Sequence, residues 1–246
     1  MVVSDNWDLY FTDRHGVPMT ISFDEYVSAN HPPTNLDLCA RIIIPIKQCK
    51  PNSSWPLDAE SELLYSMEDE IVEQLQNYKV SCLLVARMTY DGLRELVFQV
   101  SEHDKFRQIV GPWIHNHSEY EIDVSEHDGW SFFNEFVKPT DRDKRNMAEQ
   151  RVIDNLIDSG SNPELPHTLE YCFQGNPQSL KTLIEALTKK GYRLLENQST
   201  EQGQVVLSIS MPLNPYEIRE ESNANEDLAQ QLGVILDGWG ASVVTS

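Results

Sequence analysis

The sequence predicts an α+β protein of two tandem domains, and three observations carry that reading. The chain has 246 residues, enough for two ordinary domains with their own cores. Apolar β-branched runs alternate with runs at helical spacing, and the order strand, helix, strand, strand, helix, strand occurs twice. A polar stretch separates the two occurrences and ends in the breaker cluster Ser159-Gly160-Ser161-Asn162-Pro163.

The first occurrence follows an opening hairpin. Trp7 to Phe11 and Thr20 to Phe23 flank the turn-rich Asp13-Arg14-His15-Gly16. Ala40 to Ile46 is an apolar β-branched strand, closed by Pro45 and the turn Pro51-Asn52-Ser53-Ser54. Leu64, Met67, Ile71, Leu75 and Tyr78 recur at helical spacing behind Asp58, Glu60 and Glu62, acidic residues that suit a helix start. Ser81 to Tyr90 and Leu93 to Ser101 surround Asp91-Gly92, a two-residue hairpin signal. Asp104 to Ile114 reads as a helix and Tyr120 to Val124 as a closing strand. Asp141 to Asp158 is polar and helix-compatible, with Met147, Val152, Ile153, Leu156 and Ile157 as a loose apolar stripe. The expected division is a domain over 1–140, a helical connector and linker over 141–163, and a second domain over 164–246.

In the second domain Leu169 to Phe173 reads as a strand and Asn176 to Lys190 as a helix. Asn176 caps that helix, Pro177 opens it, Leu180, Leu183, Ile184 and Leu187 form one face, Lys189 and Lys190 suit its negative end, and Gly191 stops it. Tyr192 to Leu195 and Val205 to Met211 follow as strands. Asn214-Pro215 repeats the start signal, but Glu220 to Asn225 is too polar to bury, so a short turn, a loop and a helix from Glu226 to Leu232 are expected. Val234 to Val244 closes the order as the last strand. The C-terminal domain is therefore expected to be a ferredoxin-like β-α-β-β-α-β sandwich, and residues 40–124 a related mixed α/β sandwich, alike in element order and without a sequence repeat.

Within the last strand, Asp237-Gly238-Trp239-Gly240 sets a large aromatic between two residues that lack a Cβ, a pattern whose first reading is core packing. Together with Thr168 to Phe173 and the helix ending in Lys190-Gly191-Tyr192, this motif resembles the RraB family, the regulators of ribonuclease E activity. The resemblance covers roughly Glu164 to Ser246. It implies a protein that binds and inhibits an endoribonuclease and has no chemistry of its own. One departure is visible: the family's second helix is strongly acidic, while Asn223, Asn225, Gln230 and Gln231 dilute the charge here. Asp128-Gly129-Trp130 with Phe132, Phe133, Phe136 and Pro139, the early Trp7, the strand Arg41 to Ile46 and the hairpin Asp91-Gly92-Leu93-Arg94-Glu95 resemble the DUF695 domain over most of residues 1–140, which names a domain without an activity.

Composition limits the partners. With 39 acidic residues against 19 basic ones the formal charge is −20, a surface that repels phosphate backbones. Direct nucleic-acid binding is not expected; a basic protein segment, such as one of a ribonuclease E-like enzyme, is the expected partner. The acidic run Asp58 to Glu73 holds seven carboxylates and no Lys or Arg, and it reads either as a solvated face or as a docking surface for such a segment. Cys39, Cys49, Cys82 and Cys172 are widely spaced, without a Cys-x-x-Cys pair. No apolar run approaches the ~20 residues of a membrane span, and Met1 to Asp8 has no leader pattern. A cytoplasmic, bacterial-type protein is expected.

The one constellation that suggests chemistry is His103, His115, His117 and His127 among Glu119, Glu121, Asp123, Glu126 and Asp128. Histidine and carboxylate suit zinc or iron, and His115-x-His117 would point both rings one way on a strand, but this pair falls at a helix end. Such an acidic excess also fits a solvated face. There is no Gly-x-Ser-x-Gly, no phosphate-binding glycine loop and no His-Glu-x-x-His, and His167 lies too far along its strand to serve Cys172. No catalytic, cofactor or metal residue is assigned. A non-enzymatic regulator acting by protein contact is the preferred reading, beside a metal-dependent hydrolase built on the 103–128 cluster and an interaction module unrelated to RNA turnover.

Overall fold

The computed structural model describes residues 6–14, 16–29, 33, 35–51, 53–195 and 200–245. The chain forms two compact units, Met1–Asp143 and Lys144–Ser246.

In the first unit, strands β1 (Trp7–Arg14) and β2 (Val17–Asp24) form the expected hairpin, followed by the short helix α1 (Glu25–Ala29). The hairpin turn includes Gly16, at φ +82°, whose N–H is accepted by Asp13; His15 lies outside the described residues. Then come β3 (Leu38–Pro45), α2 (Asp58–Asn77), β4 (Cys82–Tyr90), β5 (Leu93–Val100), α3 (His103–Asn116) and β6 (Asp123–Asp128). The six strands pair antiparallel in the order β1-β2-β4-β5-β3-β6. Strands β4-β5-β3-β6 alone have ferredoxin-like topology, which the hairpin extends at the β4 edge. Asp91 and Gly92 both take positive φ, as a two-residue β4–β5 turn requires.

One face of this sheet, with Ile42, Ile44, Leu84, Leu96 and Phe98, packs against Leu64, Met67, Ile71 and Leu75 of α2 and Phe106, Val110 and Trp113 of α3. The other carries Tyr10, Ile21, Phe23, Met88 and Val97, all buried; the Tyr10 hydroxyl donates to Val137 O at 2.6 Å, bringing the turn Phe133–Val137 onto this side. The closing strand runs over Asp123–Asp128, later than the expected Tyr120 to Val124. Tyr120 is instead held at the end of α3, its N–H donating to His117 O and its ring buried in the helix-side core. Asn52, in the expected turn after β3, lies outside the described residues.

Helix α4 (Asp141–Asp158) begins the second unit's share of the chain, and β7 (His167–Gln174), α5 (Pro177–Lys189), β8 (Arg193–Leu194), β9 (Gln204–Met211), α6 (Pro215–Gln231) and β10 (Ile235–Gly240) complete it. The sheet order β10-β7-β9-β8, antiparallel throughout, is that of a ferredoxin-like sandwich. Asn176 caps α5 by accepting the Ser179 N–H, and Leu180, Leu183 and Leu187 are fully buried. The segment 141–163 is more than a connector: Ile153 and Leu156 belong to the second core, Asn162 N–H donates to Val244 O, and Ser161 Oγ accepts the Val244 N–H.

The main departure from the sequence expectation is α6. It is one continuous helix from Pro215 to Gln231, with no loop at Glu220 to Asn225. Ser222 and Asn225, read as too polar to bury, are fully buried: the Ser222 hydroxyl donates to Glu149 and the Asn225 amide donates to the Tyr192 hydroxyl.

Candidate functional site

Asp237-Gly238-Trp239-Gly240 lies in β10, where the pairing with β7 slips by one residue between Leu236 and Gly238. Such a bulge needs backbone that side chains rarely allow, and Gly238 sits at φ +141°. The slip leaves Asp237 outside the ladder, where its carboxylate accepts from Gln174 at 3.2 Å, and pairs Trp239 with Tyr171. The two rings stand 6.3 Å apart, and Trp239 is half-buried against the second core.

Around this pair α4, α6 and the sheet bury a polar network. Ser222 on α6 donates to Glu149 on α4 at 2.5 Å. The Tyr192 hydroxyl donates to Glu221 at 2.8 Å and accepts from the Asn225 amide at 2.6 Å, while its ring packs edge-on against Tyr171. Arg145 pairs with Glu226 and donates to Asn223 at 3.0 Å. Burial pushes the Glu149 carboxyl above its ordinary value, opposed by the Ser222 hydroxyl, Arg145 and the Trp239 indole. Burial likewise raises Tyr171 and Tyr192, so both phenols stay protonated at neutral pH. The network orients groups, and the two hydroxyls that meet carboxylates, those of Ser222 and Tyr192, belong to fully buried side chains. It fixes α4 and α6 to the sheet beneath the family motif.

The sheet's opposite face follows from the register. Thr168, Glu170, Cys172 and Gln174 lie there opposite Ser210, Ser208, Val206 and Gln204, with Gly238, Gly240 and Ile235 from β10 and Arg193 opposite Ser208. Among the described residues this face has no aromatic ring, and Arg193 is its only cation. His167 and Cys172 fall on opposite faces of β7: His167 is buried, with Nδ1 2.8 Å from Leu165 O, whereas Cys172 Sγ receives the Gln204 amide. They form no catalytic pair.

The histidines of the 103–128 region are dispersed. His103 contacts Cys39 O at 3.1 Å and lies 3.6 Å from Glu126, His117 lies 3.3 Å from Glu70, and His127 contacts Ser125 and stacks on Phe132; His115 is exposed. No group of three metal-ligating side chains converges among the described residues. The acidic helix α2 is only partly a solvated face. Glu60 turns inward to accept Lys47 N–H at 2.9 Å, and Glu68 forms a two-pronged pair with Arg87. No helix among the described residues is long and apolar enough to cross a membrane. Sequence reasoning named the motif and Tyr192 but missed Glu149 and the inward placement of Ser222 and Asn225. The available signal was two polar residues, Ser222 and Asn225, three apart and on the inward side of a helix.

Residues 5–137 match the model of a family of unknown function, DUF695, and residues 146–241 match that of RraB, regulator of ribonuclease activity B. The regulator of ribonuclease activity B of Proteus mirabilis (strain HI4320) is 27% identical over 110 residues, covering 40% of this chain and 77% of that protein. That of Colwellia psychrerythraea (strain 34H) is 32% identical over 99 residues, covering 37% and 84% respectively. A solved structure of an unknown protein from Galdieria sulphuraria aligns over 84% of this chain and 99% of its own at 11% identity, with a TM-score of 0.22, too low to bear on fold or function.

Proposed function

We propose, on the premise that this chain belongs to the regulator of ribonuclease activity B family through residues 146–241 and to the DUF695 family through residues 5–137, that it is a non-enzymatic regulator. It acts by protein contact and inhibits a ribonuclease E-like endoribonuclease by docking on a basic segment of that enzyme. The observation that carries this reading is the open face of the β10-β7-β9-β8 sheet. A ferredoxin-like sheet that binds RNA stacks bases on exposed aromatics and neutralises phosphates with cations. Here that face has no ring, and Arg193 is its one cation among the described residues. A chain of formal charge −20 attracts basic protein surfaces and repels RNA.

The reading is tested by calorimetric titration of the full chain into a purified ribonuclease E-like enzyme at several ionic strengths, beside a gel-shift assay with single-stranded RNA. Attraction between exposed charges is screened over ~8 Å at physiological salt, so binding should weaken as salt rises. The RNA should not shift. Tight RNA binding, or enzyme binding indifferent to salt, would overturn it.

A further inference from the structure

We propose that the N-terminal unit binds a small, partly apolar ligand through its carboxylate or phosphate group, with Arg94 as the cation that receives the oxyanion. This goes beyond the function proposed above, which concerns the C-terminal unit.

Arg94 is 4% exposed, and its Nε and Nη1, which together carry three N–H groups, have no hydrogen-bond partner among the described residues. Four less buried arginines each hold a carboxylate: Arg14 holds Asp143, Arg41 holds Glu95, Arg87 holds Glu68 and Arg145 holds Glu226. The carboxylate whose charge acts on Arg94 is that of Glu68, and it is engaged by both Nε and Nη2 of Arg87. Burial, and after it the charge of Arg87, push the Arg94 guanidinium below its ordinary value. A buried cation without a counterion is costly, and an arriving oxyanion offsets that cost with charge-assisted hydrogen bonds.

The surroundings select the rest of the ligand. Arg94 stands opposite Thr89 and Thr89 opposite Thr20, while in the next row Leu96 stands opposite Arg87 and Arg87 opposite Ser22. Leu96 packs into the core beneath α2 and α3, so these side chains share the helix side of the sheet, where two cations and three hydroxyls come together. Tyr65 of α2 covers them, its ring centre 4.8 Å from the Arg87 guanidinium and 5.1 Å from that of Arg94. Tyr65 is itself 44% exposed, which leaves Arg94 one ring's depth from solvent. Beside Arg87 and Ser22 opens a cleft of about 380 Å³ with Trp7, Leu9, Val72 and Leu84 as its apolar lining. It has room for a ring or a short hydrocarbon chain whose oxyanion turns under Tyr65 to Arg94. Asp8, Glu68 and Asp69 complete the lining, with Glu68 bound to Arg87 and the Asp8 carboxylate accepting the Leu9 N–H. These carboxylates repel an oxyanion from the rest of the cleft and restrict it to the Arg94 end.

The test titrates the full chain with benzoate and with phenyl phosphate, and with benzyl alcohol as the uncharged comparison, by isothermal calorimetry at neutral pH and fixed ionic strength. At least one of the two anions should bind, at least about tenfold more tightly than the alcohol, because a desolvated charge contact adds to burial of the ring. Whichever anion binds more tightly identifies the oxyanion as carboxylate or phosphate. Arg94→Met should weaken that anion at least about tenfold and leave the alcohol unchanged, whereas Lys181→Met, an exposed site on the other unit with the same change in net charge, should weaken it by no more than about twofold. Arg94→Lys keeps the charge with fewer donors and should fall between the two; it carries the comparison if Arg94→Met does not fold. Binding by neither anion, an alcohol that binds as tightly, equal losses in Arg94→Met and Lys181→Met, or an Arg94→Lys chain that binds as the unaltered one does would overturn the proposal. Ribonuclease inhibition, assayed separately, reports on the C-terminal unit, so the two readings fail independently.

Discussion

Gly238 and Trp239 divide the work of the motif between backbone and side chain. A Cβ at Gly238 would meet no atom within 4 Å, yet its φ of +141° is one that L-residues rarely adopt. Gly238→Ala should therefore cost about 1–3 kcal/mol from strain alone, measured by denaturant unfolding. Trp239 is half-buried, so Trp239→Ala should cost about 2–3 kcal/mol, below the 3–5 of a fully buried ring. An unchanged melting temperature with loss of the partner would make the indole a recognition residue instead. Glu149 supplies a pH signature. Its carboxyl is raised above the ordinary 4.5 by burial, so the folded unit holds that proton more tightly than the unfolded chain. The stabilisation is full below the ordinary glutamate range and is lost as pH rises through the raised value. Glu149→Gln should flatten that decline in a pH series of melting temperatures; an undiminished decline would assign it to other groups.

At the scale of elements, α6 shows how far the sequence could be read. Its cap and proline at Asn214-Pro215 were legible because they act locally, through the Asn214 side chain accepting the Tyr216 and Glu217 N–H groups. Its middle was not. Ser222 and Asn225 find partners on α4 and next to β8, at sequence separations no local pattern encodes. The same reason explains β6, displaced because Tyr120 completes the end of α3, and the histidines, whose closeness in sequence does not become closeness in space. The hairpins and α5 follow from nearby residues and were readable. Asn225→Ala should thus destabilise by about 1–3 kcal/mol, since it leaves the buried Tyr192 hydroxyl without its donor. Asn223→Ala, on a less buried partner of Arg145, should cost less; equal losses would contradict the network.

At the scale of the whole molecule, two cores imply two unfolding units, and we propose that they melt separately. Trp239→Ala should then lower one calorimetric transition and leave the other in place; a single transition that shifts as a whole would show one cooperative unit. The N-terminal unit has its own pH signature. Burial alone would raise Asp143, but the hydroxyl and N–H of Thr140, Thr12 and Arg14 together hold it below its ordinary value. Its stabilisation is present above the ordinary aspartate range and lost as pH falls through the lowered value, opposite in sign to that of Glu149.

The most direct measurement for the central claim is the rate at which a ribonuclease E-like enzyme cleaves a fixed RNA, with and without the full chain, at low and at physiological salt. A regulator that docks on a basic protein segment should slow cleavage, more strongly at low salt, with no cleavage by the chain alone. An unchanged rate at both salts, or RNA cleavage by the chain itself, would contradict the account.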